Sequence, residues 1–388
     1  GVFTPEFQAD PVGAYAACRR QHWIARCEFG FVVVRREAVA DLLRDPRAVT
    51  PGAMVAQMMG AAESPWGQWV SSILLSTDGD AHARLRRLVS GPFSARRADE
   101  ARPMMRAVLD ELLAPLVLRD RFDLMHDVCH EFPIRVLCNL IGVDERDVPS
   151  FVGWVDTLGR GYDFDPALVP ELDAALVAMR DYVSALVDRR SAELAGADDL
   201  VGALIAASVE GDRLSRDELL TMIVLLLGAG ADTTKYQIGN LVYGALAHPG
   251  QWDRLVADPT SIPAAVEESL RFRAAVGTTA RLAATDIDYR GLTIPAGSFL
   301  FLAIASAGHD GPSADPERFD AGRADTAHLA FGLGPHFCLG SHIARAELAV
   351  TLEVLLDRLR DVRIDGPVTW NTPIGVGGPS SLALRLRP

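Results

Sequence analysis

Basic charge is scarce in this chain. Lys and Arg total 38 against 51 Asp and Glu, a net charge of −13 over 388 residues. Gripping a phosphate backbone takes a basic surface, so no nucleic-acid partner is expected. Cysteine is also scarce. The five residues Cys18, Cys27, Cys129, Cys138 and Cys338 are odd in number and form no paired framework, which argues against a disulfide scaffold and for a reducing compartment. Apolar runs are short. The longest, 219–231, is broken by Thr221 and stopped by Asp232, below the roughly 20 residues a membrane span needs. The first ten residues lack the basic-then-apolar pattern of a secretory leader. Repeats, low-complexity tracts and Ser/Gly linkers are missing too. The expectation is a cytoplasmic, monomeric protein without a membrane partner, folded as one domain over 1–388.

What is present suits a large core, with 49% hydrophobic and 23% charged residues. Helical periodicity dominates, and short strand signals fall near 29–35, 280–304 and 381–386. The expected fold class is mainly α with a smaller β-rich lobe. Segment 51–76 reads as a loop with a short helix and carries Met54, Met58, Met59, Trp66 and Trp69. Such side chains line ligand pockets and fill cores equally well. The clearest helix starts at Ser215, where Ser215-Arg216-Asp217-Glu218 fits a capping box. It runs to His248, before Pro249. Its middle, Gly228-Ala229-Gly230-Ala231-Asp232-Thr233-Thr234, puts glycines, an acid and hydroxyls into an apolar helix at a cost in stability. Close helix packing at the glycines is one explanation. A bend that opens room for a ligand is the other.

The most informative stretch is Phe331-Gly332-Leu333-Gly334-Pro335-His336-Phe337-Cys338-Leu339-Gly340, followed by Ser341-His342-Ile343-Ala344-Arg345-Ala346-Glu347, which opens an apolar helix reaching about Leu359. Cys338 therefore lies at a helix N-terminus, whose positive end favours thiolate. Gly332, Gly334 and Gly340 allow sharp turns and close approach of a flat ligand. A lone cysteine is more often a small buried hydrophobe. A zinc site needs further ligands at fitting spacing, and none is evident. A nucleophilic cysteine with His336 as its base stays open at this point.

The loop resembles the cysteine-ligand loop of the cytochrome P450 superfamily, Phe-Gly-x-Gly-x-His-x-Cys-x-Gly, and every fixed position is matched. Other segments resemble that family in its order and nearly its spacing. Ala229 to Thr234 is similar to its oxygen-activation segment. Glu268-Ser269-Leu270-Arg271 is similar to its Glu-x-x-Arg helix. His82 and Arg86 match its early haem-contacting helix, Arg281 a strand arginine that binds a haem propionate, and Pro316 to Phe319 the segment whose arginine joins the Glu-x-x-Arg pair. The resemblance covers roughly 75–350. One departure shows, Gly308-His309-Asp310, where many soluble members read Asn-Arg-Asp.

The resemblance implies the cytochrome P450 fold, a triangular prism, and a haem b cofactor whose iron takes the Cys338 thiolate. Such a ligand pushes electron density to iron and favours O–O cleavage. His82, Arg86, Arg281 and His336 would hold the propionates, with Ala229, Phe331, Gly332 and Gly340 also contacting the cofactor. Glu268, Arg271 and Arg318 would form a buried structural ion cluster. Asp232 and Thr233 would relay the two protons that oxygen splitting consumes, and their presence favours oxygen plus reductant over peroxide. The implied activity is monooxygenation of an apolar or aromatic natural-product intermediate, free or tethered to a carrier protein. Electrons would come from a ferredoxin or flavodoxin with its reductase. A locally basic stretch, Arg84, Arg86, Arg87, Arg96 and Arg97, is the expected docking patch. Substrate contacts are expected from 51–76, 161–170, Ala229, 275–279 and Ile374. Three alternatives stand beside this reading. They are an oxidase of the same family that couples phenols or closes rings, a haem-binding sensor, and a haem-free cysteine enzyme.

Overall fold

In the computed structural model, the described residues are 4–192, 199–209, 211–311, 315–371 and 375–386. They form two compact units. One comprises Gly1–Val49, Met105–His130 and Thr233–Pro388, the other Thr50–Met104 and Glu131–Asp232.

The first unit carries the principal sheet. Its strands are β1 (Ile24–Cys27), β2 (Gly30–Val33), β3 (Ala48–Val49), β4 (Thr279–Ala283) and β5 (Phe299–Leu302), in the order β1-β2-β5-β4-β3. β2 and β5 run parallel, with Phe299 opposite Gly30, and the remaining pairs are antiparallel. Gly30 has φ +145°, and a Cβ there would lie 2.3 Å from the Phe299 carbonyl, so this register requires glycine. Alternation sorts the faces. Val33, Leu300 and Leu302 pack with Leu42, Ile287 and Ile304, while Val32 and Val34 pack with Phe7 and Tyr15. The expected C-terminal strand is present as Ala383–Leu386, paired with Val362–Ile364 and Arg121–Asp123. The broad strand signal over 280–304 resolves into β4, the hairpin Ile287–Tyr289 and Leu292–Ile294, and β5.

The second unit is built mainly of helices, among them Pro65–Ser72, Gly79–Ser90, Phe132–Ile141, Val148–Gly159 and Val169–Ala192. Segment 51–76 is more helical than expected. Met54–Met58, Pro65–Ser72 and a 3-10 turn at Leu74–Ser76 fill it, and Ser64 caps the second helix by accepting the Gly67 N–H at 3.1 Å.

The long helix Arg216–Ala247 contributes its first half to the second unit and residues from Thr233 onward to the first. Its 32 residues span about 48 Å. The capping box forms as expected. The Glu218 N–H donates to Ser215 Oγ at 3.2 Å, and the Ser215 N–H donates to Glu218 Oε2 at 2.8 Å. By length and composition alone this helix could cross a membrane, and 56% of its most apolar stretch is buried within the protein.

Candidate active site

The thiol loop belongs to the first unit. Gly332 and Gly334 adopt φ +71° and +73°, the left-handed conformation glycine tolerates best. Gly332 N–H closes a turn on Leu329 O at 2.8 Å, Phe337 N–H donates to Gly334 O at 3.1 Å, and Cys338 N–H donates to Phe331 O at 2.8 Å. The helix Ser341–Arg358 follows. This folding leaves Cys338 half-exposed, with Phe337 beside it 38% exposed. Cys129 and Cys138 are fully buried. Burial pushes the Cys138 thiol up to about 12 and that of Cys129 higher still, so neither is a ready thiolate. A Cβ added at Gly340 would meet no atom within 4 Å. An accessible soft donor beside open space suits a flat macrocycle bound through one axial sulfur. Among the described residues no group of three or more His, Cys, Asp or Glu could hold a metal ion.

Phe331 is held from two sides. The Arg345 guanidinium lies over its face at 4.5 Å, and the His328 ring meets it at 5.9 Å and 61°. Both neighbours are anchored by Glu267. Oε1 accepts from Arg345 Nε at 2.6 Å, and Oε2 accepts from Arg345 Nη2 at 3.0 Å and from His328 Nε2 at 3.1 Å. Burial alone would raise the Glu267 carboxyl. The bonds to His328 and Arg345 outweigh it and hold the group down at about 2.

Midway along the long helix, Ala229 is exposed although Leu227 and Ala231 are buried, and a Cβ at Gly228 would meet nothing within 4 Å. Gly230 differs, because a Cβ there would approach Leu137 to 3.0 Å. The close-packing reading therefore holds at Gly230, a Cβ at Gly228 would be unopposed, and the segment stays α-helical throughout, with no interruption to mark the expected bend. Asp232 and Thr233 are half-buried. Asp232 Oδ2 lies 3.0 Å from where a Cβ at Gly159 would stand, so glycine there makes room for the carboxylate. Thr234 is buried and donates to Glu347 Oε2 at 3.5 Å. Complete burial holds the Glu347 carboxyl in its neutral form well above the usual range.

The four expected propionate partners divide between the units. His82 is buried and Arg86 half-buried on the helix Gly79–Ser90 of the second unit. In the first, Arg281 sits buried on β4, donating to Ala280 O at 2.8 Å, and His336 is half-exposed in the thiol loop. Arg84, expected as free positive charge, is bound instead. It bridges Asp212 at 2.8 Å and Glu218 at 2.6 Å and ties its helix to the start of the long one.

The expected ion cluster needs one correction. Glu268 and Arg271 pair through Oε2–Nε at 2.7 Å and Oε1–Nη2 at 2.8 Å, both fully buried. The third cation is Arg323, whose Nε donates to Glu268 Oε1 at 3.0 Å, and not Arg318. Arg318 contributes its carbonyl, which accepts from Arg271 Nη2 at 3.2 Å and from Arg323 Nη2 at 2.8 Å. Its neighbour Phe319 turns into the core, so the Arg318 side chain stays exposed. The departure at Gly308-His309-Asp310 is wired into the same region. Gly308 O accepts from Arg271 Nη1 at 3.0 Å, and a Cβ at Gly308 would stand 2.2 Å from Arg271 O. His309 Nε2 donates to Phe272 O at 2.8 Å.

Of the expected substrate contacts, Met59 and Trp66 are fully buried and pack in the core, while Met58 is 58% exposed. Ile374 lies outside the described residues. Sequence reasoning missed Gln237 and Asn240. Gln237 Oε1 accepts the Ala275 N–H at 2.8 Å, and its Nε2, with Asn240 Nδ2, donates to Arg273 O at 3.2 and 3.1 Å. These bonds fix the start of 275–279. The available signal was the three-residue spacing of Thr234, Gln237 and Asn240, one polar stripe on an apolar helix.

Comparison with known proteins gives a consistent result. The family model described as Cytochrome P450 matches residues 256–365, which contain the ion cluster and the thiol loop. Luteothin monooxygenase of Streptomyces thioluteus is 34% identical, over 95% of this chain and 91% of that protein. The cytochrome P450 monooxygenase PikC of Streptomyces venezuelae is 35% identical, over 100% of this chain and 94% of that one. Among solved structures, P450BioI in complex with a fatty-acid-ligated acyl carrier protein superposes with a TM-score of 0.90 at 28% identity, over 98% of this chain and 100% of that one. Identity of this extent along nearly the whole length places the chain in the cytochrome P450 family of haem monooxygenases.

Proposed function

We propose that the protein oxidises an apolar or aromatic small molecule, an intermediate of natural-product biosynthesis, by the balance R–H + O₂ + 2 e⁻ + 2 H⁺ → R–OH + H₂O. The observation that carries this reading is the half-exposed Cys338 at a glycine-turned helix start, with Cys129 and Cys138 closed off by burial. Haem b held through a thiolate would supply the oxygen-cleaving chemistry. Cys338 would hold the iron, and Phe331, Gly332, Gly340 and Ala229 would line the cofactor. His82, Arg86, Arg281 and His336 would neutralise its propionates with directional hydrogen bonds. Asp232 and Thr233, adjacent on a half-buried stretch of the long helix, hold and pass the two protons at Oδ and Oγ1. Residues 1–388 act as one monomeric domain in the cytoplasm, and a ferredoxin or flavodoxin with its reductase supplies the electrons.

The relative named for luteothin supports a small organic substrate. The structure of P450BioI on a ligated acyl carrier protein supports a carrier-tethered form of it. The decisive test is Cys338→Ser. The variant should lose the red-shifted Soret band of the reduced carbonyl complex, and a variant that kept the band would falsify the ligand assignment. A substrate-binding spectral screen of the purified protein, with free and carrier-bound compounds, then identifies the substrate. Absence of product with every binder, together with slow autoxidation, would favour a haem-binding sensor.

A further inference from the structure

Glu267 stands next to the buried Glu268 but takes no part in the ion cluster, and no chemistry assigned above requires it. Its carboxylate nevertheless closes a network that ends at the thiol loop. The two-point fork to Arg345, at 2.6 and 3.0 Å, fixes the plane of the guanidinium as well as its position. His328 Nδ1 accepts the Ala330 N–H at 3.1 Å, so Nε2 carries the proton given to Glu267, and the imidazole cannot turn. These two groups hold the Phe331 ring by its face and from its side. Phe331 in turn meets Phe337 at 6.4 Å, and its carbonyl takes the Cys338 N–H at 2.8 Å.

We propose that Glu267 is a positioning residue for the thiolate, acting through Arg345 and His328 on Phe331. The inference rests on Cys338 as the iron ligand. Neutralising Glu267 frees the long Arg345 side chain and unpins the Phe331 ring. The turn Phe331–Cys338 loosens, and water gains access to the sulfur. Hydrogen bonds from water draw charge from the thiolate, weaken its donation to the metal and favour the reduced state.

The test is a double-mutant cycle on the haem-loaded protein, read by redox titration. Glu267→Gln should shift the reduction equilibrium severalfold toward the reduced form, and Phe331→Leu should shift it in the same sense. The double variant should go no further than Phe331→Leu alone. No shift in Glu267→Gln, or effects that add, would overturn the proposal. A merely structural Glu267 would lower unfolding resistance and give additive effects. If Glu267→Gln does not retain haem, Arg345→Lys, which keeps the charge but cannot form the fork, takes its place with the same expected sign and the same overturning result. Failure of the underlying ligand reading shows separately, as retention of the red-shifted Soret band in Cys338→Ser.

Discussion

Replacing Glu268 by Gln is the most demanding test of the buried ion cluster. Glu268 is fully buried and accepts four hydrogen bonds, from Arg271 Nε at 2.7 Å, Arg271 Nη2 at 2.8 Å, Arg323 Nε at 3.0 Å and the Asp320 N–H at 2.9 Å. Its single negative charge faces two guanidinium groups. Gln would leave two buried cations without a counter-charge and turn an amide N–H₂ toward groups that only donate. Breaking such a site costs roughly 3–5 kcal/mol. Arg323→Ala should cost less, about 2–3 kcal/mol, because it removes charge-assisted bonds but leaves a neutral Glu268–Arg271 pair. Arg318→Ala keeps the backbone carbonyl that the cluster uses and should stay within about 0.5 kcal/mol of the parent. For 388 residues the unfolding entropy is about 0.8 kcal/mol per degree, so Glu268→Gln should lower Tm by roughly 4–6 °C and Arg318→Ala by less than about 1 °C. Thermal and urea unfolding of the haem-loaded variants, at fixed haem and protein concentration, supply the comparison. Equal losses from Arg318→Ala and Arg323→Ala would refute the assignment of the third cation. So would a Glu268→Gln protein as stable as the parent.

Thr233→Ala should retain haem and substrate binding but divert electrons to peroxide, seen as less product per reductant consumed; unchanged coupling would mean that Thr233 only packs. Arg96 is 81% exposed and pairs loosely with Glu100 at 3.5 Å, so Arg96→Glu with Arg97→Glu should slow reduction by ferredoxin, most at low salt, and leave dithionite reduction unaffected. Rates independent of ionic strength in both proteins would remove this patch as the docking site. Burial, reinforced by the charges of Arg271, Arg19 and Arg273, lowers His309 from 6.5 to about 4 against the opposing bond to Phe272 O. The unfolded chain thus takes up a proton first as pH falls, and folding stability drops from about pH 6.5 down to about pH 4, by at most about 3.4 kcal/mol (about 2.5 pH units at 1.36 each). The buried acid Glu347 changes stability in the opposite sense, so the quantity to measure is the difference between parent and His309→Gln in urea at pH 7 and pH 5, where Glu347 cancels. No difference in pH response would show that His309 does not titrate as stated.

Local chemistry was legible in the sequence, and partners across loops were not. The capping box at Ser215 and Glu218 formed because both of its members lie within one turn. The thiol loop closed where its glycines allow, since φ above zero is a property of the residue itself. Arg318 and Arg323 were indistinguishable in one dimension. Phe319 decides between them by entering the core, which turns Arg318 outward and lets the turn from Asp320 bring Arg323 to Glu268. Arg84 looked like spare positive charge for the same reason. Its acids lie 128 and 134 residues away, and a count of local charge cannot see them. The anchoring of Phe331 by Glu267 spans 64 residues of sequence and three separate segments, so only the fold could reveal it.

The long helix shows how function can be placed in an apolar element without unfolding it. A polar group buried without a partner costs several kcal/mol, and most groups of this stripe find one within the protein, Asn240 Oδ1 and Glu347 Oε1 being the exceptions. Thr234 bonds to Glu347, whose own burial keeps it neutral and able to serve without an isolated charge. Gln237 reaches Ser269, Arg273 O and Ala275 N–H, and Asn240 reaches Arg273 O. The stripe thus turns a cost in helix stability into the anchor for the segment after Arg273, where Val276 bridges Val376 and Gly277 N–H donates to Gly375 O at 2.9 Å. Arg216–Ala247 is long and apolar enough to cross a membrane, yet 56% of its most apolar stretch is buried within the protein. Asp232 and Thr233 lie next to the stripe and are half-buried, neither closed by packing nor fully wet.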